Sequence, residues 1–288
     1  MNTHIRDALI EFAPGPHKYT CAGDSNYLSV TTWLHSHFPA FDADAIIKKM
    51  NLTSPKCKYY GQTPEQIKAG WDRGRDEAAA AGTAMHEAIE NFLVAGLQAC
   101  PTTPLLSQVE TEGADASGVS SEVYPFSASA PCVRPSPGGG SWGVSPQGLP
   151  PNFILFLAAH PLLKPYRCEW MIFDEDVKIA GSIDFVAENE DGTLTIYDWK
   201  RCKEIKKSNR FGGSALTECI SHLPDTNYWH YALQLNTYKT ILERKYGKKI
   251  KKMYLVGLHP NLPNYQVHAV PELLQEMTDL FALRRTQL

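Results

Sequence analysis

The 288-residue chain lacks several common signatures, and each absence excludes a class of protein. Its seven cysteines (Cys21, Cys57, Cys100, Cys132, Cys168, Cys202 and Cys219) contain no Cys-x-x-Cys pair. An odd, scattered set argues against a disulfide framework or a zinc ribbon and fits reduced thiols. No apolar run approaches the roughly 20 residues that span a bilayer. The opening Met1-Asn-Thr-His-Ile-Arg-Asp7 has neither the apolar core of a signal peptide nor the look of a transit peptide. A soluble, intracellular protein without a membrane partner is therefore expected. There is no Gly-x-x-x-x-Gly-Lys-Ser/Thr loop, so ATP hydrolysis by that route is excluded and no nucleotide cofactor is expected. The formal net charge of −3 provides no global basic field to announce nucleic acid.

What the chain does contain is enough apolar material, 43% hydrophobic and 10% aromatic, for one sizeable core. Its basic residues fall into two runs. One holds Lys200, Arg201, Lys203, Lys206, Lys207 and Arg210; the other holds Arg244, Lys245, Lys248, Lys249, Lys251 and Lys252. A charge run is usually a solvated face, but the first adjoins a chemically interesting strand, so Arg201 and Lys203 are candidates for following a phosphate backbone.

Three regions emerge along the chain. Residues 1–97 start turn-rich and become helical, with a short helix over 42–50. A second helix begins at Thr63-Pro64-Glu65-Gln66, where Thr is placed to cap and Pro to occupy the first turn. That pattern runs to about Leu97 with a break expected near Gly82. Residues 98–150 have no lysine, Arg134 as the lone basic residue, and Pro135-Ser-Pro-Gly-Gly-Gly-Ser141; they read as a low-complexity, disordered insertion. Residues 151–288 resume with a short helix, three strands over 166–200, a helix over 225–246, two strands and a closing helix. This order describes an α/β fold with a mixed central sheet flanked by helices.

The strands over 177–187 and 193–200, joined by Glu190-Asp191-Gly192, read as a β-hairpin. Alternation puts Asp198 and Lys200 on one face with Trp199 on the other, and Asp184 near the end of its strand can reach the same space. Two carboxylates there suit a hard divalent cation such as Mg²⁺ or Mn²⁺, and a neighbouring lysine can act on the attacking water or offset charge on a phosphate. Taken alone, Asp-x-Lys on a hairpin is an ordinary ion pair. Glu169 on the preceding strand is a further candidate acid. His86 and Glu90 lie one turn apart on a helix. A zinc-protease helix would need His where Glu90 stands, so that motif is rejected and Glu90 is kept as a candidate acid. Gln234 and Tyr238 also share a helical face and can contact a nucleic-acid strand.

In this order, Gly82-Thr83-x-x-His86, Gly181-x-x-Asp184, Asp198-x-Lys200 and Gln234-x-x-x-Tyr238 resemble the RecB-like branch of the PD-(D/E)xK nucleases. His17-Lys18-Tyr19 and Leu28-Ser29-Val30-Thr31 look like the stand-alone phage-type and mitochondrial-genome-maintenance-type exonucleases of that superfamily. The resemblance implies a restriction-endonuclease-like core over 151–288, with the His motif carried by the N-terminal helical region. It implies Asp184 and Asp198 as metal-binding acids, the Trp199 carbonyl and His86 as further ligands, and Lys200 as the catalytic lysine. Gln234 and Tyr238 would contact the substrate strand. One or two Mg²⁺ or Mn²⁺ ions are implied, whereas the iron–sulfur cluster of some relatives is not, because no cysteine follows Cys219. The expected activity is a deoxyribonuclease, exonucleolytic on single strands or ends, with a helicase, recombinase or polymerase as the kind of partner that would work in trans. The competing expectation is a nucleic-acid-binding module that keeps the scaffold without cutting.

Overall fold

The computed structural model describes residues 2–99, 148–209 and 212–288. Most of the low-complexity insertion, and Arg210 of the first basic run, lie outside the described residues. Near the N-terminus a hairpin, β1 (Ile10–Ala13) and β2 (Lys18–Cys21), precedes a two-residue strand β3 (Leu28–Ser29) that runs directly into α1 (Val30–His35). Next come α2 (Ala43–Lys48), α3 (Pro64–Ala99) and α4 (Pro151–Ala159). The meander of β4 (Lys164–Asp174), β5 (Ile179–Glu188) and β6 (Leu194–Lys200) leads to α5 (Asn227–Lys245), β7 (Ile250–Gly257), β8 (Gln266–Ala269) and α6 (Leu274–Thr286).

Local chemistry sets many of these boundaries. The Asp42 carboxylate accepts the Ala45 amide at 2.9 Å and caps α2. Thr63 and Gln66 exchange backbone and side-chain bonds of 3.3 and 2.9 Å, the reciprocal pattern of a capping box, with Pro64 in the first turn of α3. Gly192 closes the β5–β6 turn with φ of 75°, a left-handed conformation open to glycine without penalty. The break expected near Gly82 does not occur: α3 continues through it to Ala99. One glycine costs about 1 kcal/mol in a helix and the alanines around it compensate. The N-terminal region is also not purely helical. It contains the β1–β2 hairpin, and β3 joins the central sheet.

The six-stranded mixed sheet has the order β3-β5-β6-β7-β8, with β4 pairing β5 along its other edge. β6–β7 and β3–β5 are parallel and the remaining pairs antiparallel. One face packs on α1, α5 and α6 through Trp33, Tyr228, Leu233, Ile241 and Phe281; the other packs on α3 and α4 through Ile89, Leu93, Phe153 and Phe156. Burial on both faces explains why β6 is buried at all but its last residue instead of alternating.

Two irregularities open this sheet near its centre. On one edge, β5 is shared: Ile179 and Ala180 pair with β3, whereas Phe185 to Glu188 pair with β6. Residues 181–184 lie between these partners, where β5 and β6 part. Second, face alternation slips at the same place. Ile179 and Ile183 belong to the α5-side core, but Phe185 and Ala187 belong to the α3-side core. On β4, Trp170 and Cys168 divide between the cores in the same way, and Glu169 between them has a positive φ of 42°. A non-glycine residue held there costs on the order of 1–3 kcal/mol, so the rest of the sheet imposes it.

The gap left beside Gly181 is filled by α5. A β-carbon at Gly181 would stand 2.8 Å from Tyr238 Cε1 and 3.1 Å from Val30 Cγ2. Gly181→Ala should therefore destabilise the protein by about 1–3 kcal/mol through overpacking. The expected readout is a lower urea midpoint with an unchanged slope; an unchanged midpoint would show that Tyr238 gives way freely.

Candidate active site

Where β5 and β6 separate, the carboxylate of Asp184 takes the place of the missing ladder bond. Its Oδ2 accepts the Trp199 backbone amide at 2.8 Å. Trp199 is itself locked from the other face. Its indole lies 5.3 Å from Phe153, 5.4 Å from Phe156 and 5.7 Å from Phe185, centroid to centroid. The end of β6 is thereby fixed, and with it Asp198 and Lys200 on either side.

His86 arrives from α3. Its Nε2 lies 2.9 Å from the Trp199 carbonyl oxygen, which leaves Nδ1 facing Asp184 Oδ2 at 3.6 Å and Glu169 Oε1 at 3.9 Å. Ser182 Oγ donates to Glu169 Oε2 at 3.0 Å and fixes that carboxylate. One nitrogen and two carboxylates thus converge with ligand atoms within 4.8 Å of one another. This donor set, with the Trp199 carbonyl beside it, fits a divalent cation. Glu169 and Asp184 are the acids of the triad; Asp198 stands outside it. Glu90, one turn along α3 from His86, is outside it too. Burial and the neighbouring Glu169 raise its pKa.

Asp198 has another partner. The Lys200 ammonium meets its Oδ2 at 2.7 Å, lies 4.4 Å from the centroid of the Tyr231 ring, and is 3.5 Å from Gln234 Oε1. Gln234 Nε2 donates to the Tyr238 hydroxyl at 2.9 Å. The third and fourth motifs therefore touch through Lys200 and Gln234, and the second and fourth through Gly181 and Tyr238. Tyr231 was not evident from sequence. Its signal was present, since it precedes Gln234 by three residues and shares its helical face. Arg201 and Lys203 begin the loop after β6. Lys203 is exposed, and both lower the pKa of nearby His259 after burial has done so.

The electrostatics reflect acids confined in little water. Burial and the Asp198 charge push the Asp184 carboxyl well above the usual range. Burial presses His86 down, but Asp184, Glu169 and Asp198 outweigh it and raise its pKa to about 9. Burial likewise opposes the Lys200 charge, and Asp198, then Asp184, more than restore it, leaving an ammonium firmly protonated at neutral pH.

Half of the second basic run, Arg244, Lys245 and Lys251, has a structural job. Arg244 and Lys245 reach Asp176 at 3.1 and 2.9 Å and flank the fully buried Asp174. Lys251 pairs with Asp191 at 2.7 Å.

A mixed sheet thus opens to hold a histidine, two acids and an Asp–Lys pair in one place. The chain belongs to the PD-(D/E)XK nuclease superfamily, whose family model matches residues 52–286. No curated protein matches it. Among solved structures it is similar to SSO0001, at 17% identity and a TM-score of 0.27, with 47% of this chain and 56% of that one covered. It is also similar to a protein from Eubacterium rectale described as a "Putative exonuclease", at 14% identity and a TM-score of 0.27, with 42% and 41% covered. The chain thus spans little more than half of the first and less than half of the second. Among the described residues no helix is long and apolar enough to cross a membrane.

A cation must displace the His86 proton and meet an ionised Asp184. Between about pH 6 and 9 both groups lose protons as pH rises, so Mn²⁺ affinity should strengthen with pH and its uptake should release protons. Calorimetry in buffers of different ionisation heat measures both. A pH-independent affinity would rule out His86 and Asp184 as ligands.

Proposed function

We propose that the chain is a divalent-metal-dependent deoxyribonuclease of the RecB-like branch, an exonuclease acting on single strands or DNA ends. The observation that carries the reading is the adjacency of the His86–Glu169–Asp184 triad to the Asp198–Lys200 pair at one opening of the sheet. A bound Mg²⁺ or Mn²⁺ would supply Lewis-acid activation of water and neutralise charge on the scissile phosphate. His86, Glu169, Asp184 and the Trp199 carbonyl would hold it, and Asp198 would serve chiefly to fix Lys200.

The chain's own residues supply the remainder. Lys200 is already an ammonium held from three sides, so its role is to stabilise charge on the phosphate oxygens; it is not the base at neutral pH. Tyr231 and Gln234 restrict where that ammonium can point. Gln234, Tyr238, Arg201 and Lys203 would contact the strand on either side of the cut. Ends and single strands are the substrates that the resemblance to RecB-like exonucleases implies. Among the described residues, moreover, no element has the form of a helix or ribbon built for major-groove reading.

The test is a time course on end-labelled single-stranded DNA and its duplex, each with Mg²⁺, Mn²⁺ or EDTA. Metal-dependent cleavage of the single strand is expected, with the duplex degraded from its ends or not at all. Asp198→Asn and Lys200→Gln keep side-chain size but leave the partner's buried charge uncompensated. Each should therefore lower the rate by at least about a hundredfold and lower the urea midpoint too, and rates are compared where circular dichroism shows the variant folded. Either variant cutting at the wild-type rate would overturn the mechanism. DNA binding without cleavage in any metal would identify a non-cutting binding module instead.

A further inference from the structure

The N-terminal half of α3 carries an aromatic group that the hydrolytic chemistry does not require. Trp71, on α3, has Phe41 and Tyr59 edge-on at 5.7 and 5.9 Å, and its indole N–H donates to the Tyr59 hydroxyl at 2.8 Å. Tyr60 follows in the chain. Trp71 and Tyr59 are half-buried and could simply pin the 51–63 loop to α3. That does not account for Phe41 at 73% exposed or Tyr60 at 56%, whose rings stand in water.

Along the stretch that carries Tyr59 and Tyr60 the charge is one-sided, whereas Asp42 and Asp44 follow Phe41 and Asp72 follows Trp71. From Ala45 to Pro64 there are four lysines and no Asp or Glu. Lys58 lies 5.2 Å from the Tyr59 ring centroid, and Lys56 and Lys58 are both exposed. Exposed rings interleaved with unopposed lysines fit a ligand made of flat π-faces on a phosphate backbone.

Helical geometry links this group to the site. Trp71 and His86 stand on one uninterrupted helix. Their 15-residue separation corresponds to about 22 Å of rise and leaves them only about 60° apart around the axis. On the strip between them are Ala78, Ala79 and Gly82, none bulky enough to stand in the way, and Arg75, whose guanidinium is engaged by Asp72 and Asp76.

We propose that Phe41, Tyr59, Tyr60 and Trp71 form a stacking platform for the unpaired bases of a single-stranded nucleic acid, with Lys56 and Lys58 on its phosphates. The strand runs from this platform along α3 to the opening at His86. The inference rests on the nuclease reading for what lies at the far end, but the platform is a binding element in its own right.

The test is fluorescence anisotropy of a labelled oligothymidylate and of a blunt hairpin duplex, in EDTA, for the full chain and its Phe41→Ala/Tyr60→Ala variant. Single-strand affinity should fall between about fivefold and 150-fold while duplex affinity changes by less than about twofold. A Phe41→Leu/Tyr60→Leu pair keeps apolar volume without ring faces and should lose binding in the same way, which covers the event that the alanine pair folds poorly. Single-strand affinity retained in the leucine pair, or an equal loss on both ligands, would overturn the platform. So would sedimentation showing a wild-type dimer that the substitutions dissolve, since a second copy would then be the occupant. Cleavage of the same oligonucleotide in Mn²⁺ separates the two ideas. A wild type that binds but never cuts overturns the nuclease reading alone; one that cuts, with a variant that binds as tightly, overturns the platform alone.

Discussion

Beyond the Phe185–Tyr197 pair the β6 strand leaves β5, and the Trp199 amide that would have continued the ladder is taken by the Asp184 carboxylate. A buried amide left without a partner costs free energy comparable to a lost hydrogen bond, so this contact makes the divergence tolerable. Nearly everything at the site depends on it. It turns Asp184 toward the opening and frees the Trp199 carbonyl for His86. It also leaves room beside Gly181 for Tyr238. The cost of holding Glu169 at positive φ is incurred at the same level of the sheet, so the distortion is shared by β4 and β5.

The opening concentrates negative charge where water is scarce. Three carboxylates, Glu169, Asp184 and Asp198, are met by two cationic groups, His86 and Lys200, and these divide the work. Lys200 neutralises Asp198 across a buried pair, a geometry in which removing one partner usually costs several kcal/mol. His86, held by the Trp199 carbonyl on one side, turns its other nitrogen to Glu169 and Asp184, so its raised pKa records a place where positive charge is wanted. A divalent ion answers that demand better than a proton does. The same logic separates the two basic runs. Arg244, Lys245 and Lys251 of the one leading into β7 are engaged by Asp174, Asp176 and Asp191, whereas Lys203 of the other is exposed three residues from Lys200.

Much of this was legible beforehand because it depends on neighbours in sequence. The turn at Gly192, the cap at Thr63 and the i, i+4 pair Gln234–Tyr238 are short-range facts, and the α/β order reflects periodicity. What was misjudged has long-range causes. Gly82 did not break α3, because one glycine's propensity is small beside a 36-residue helix. The approach of Glu169 to His86 and Asp184 likewise depends on the pairing of β4 with β5. The β1–β2 hairpin is not legible in the sequence because its strands have four residues each, too few for their alternation to stand out in a turn-rich stretch.

By itself the sequence determined the class of fold, the strand that carries Asp198 and Lys200, and the four motifs in their order. Only the tertiary structure decided how they meet. Strict alternation would have put Ile183 and Phe185 on one face; the slip at Asp184 puts them on two, and no local pattern announces it. The assignment of Glu169 to the triad, the cradle that Tyr231 gives Lys200, and the reason position 181 is glycine all depend on elements tens of residues apart. Their approach is fixed by sheet pairing and core packing, which sum many weak contacts that no single stretch of the chain encodes.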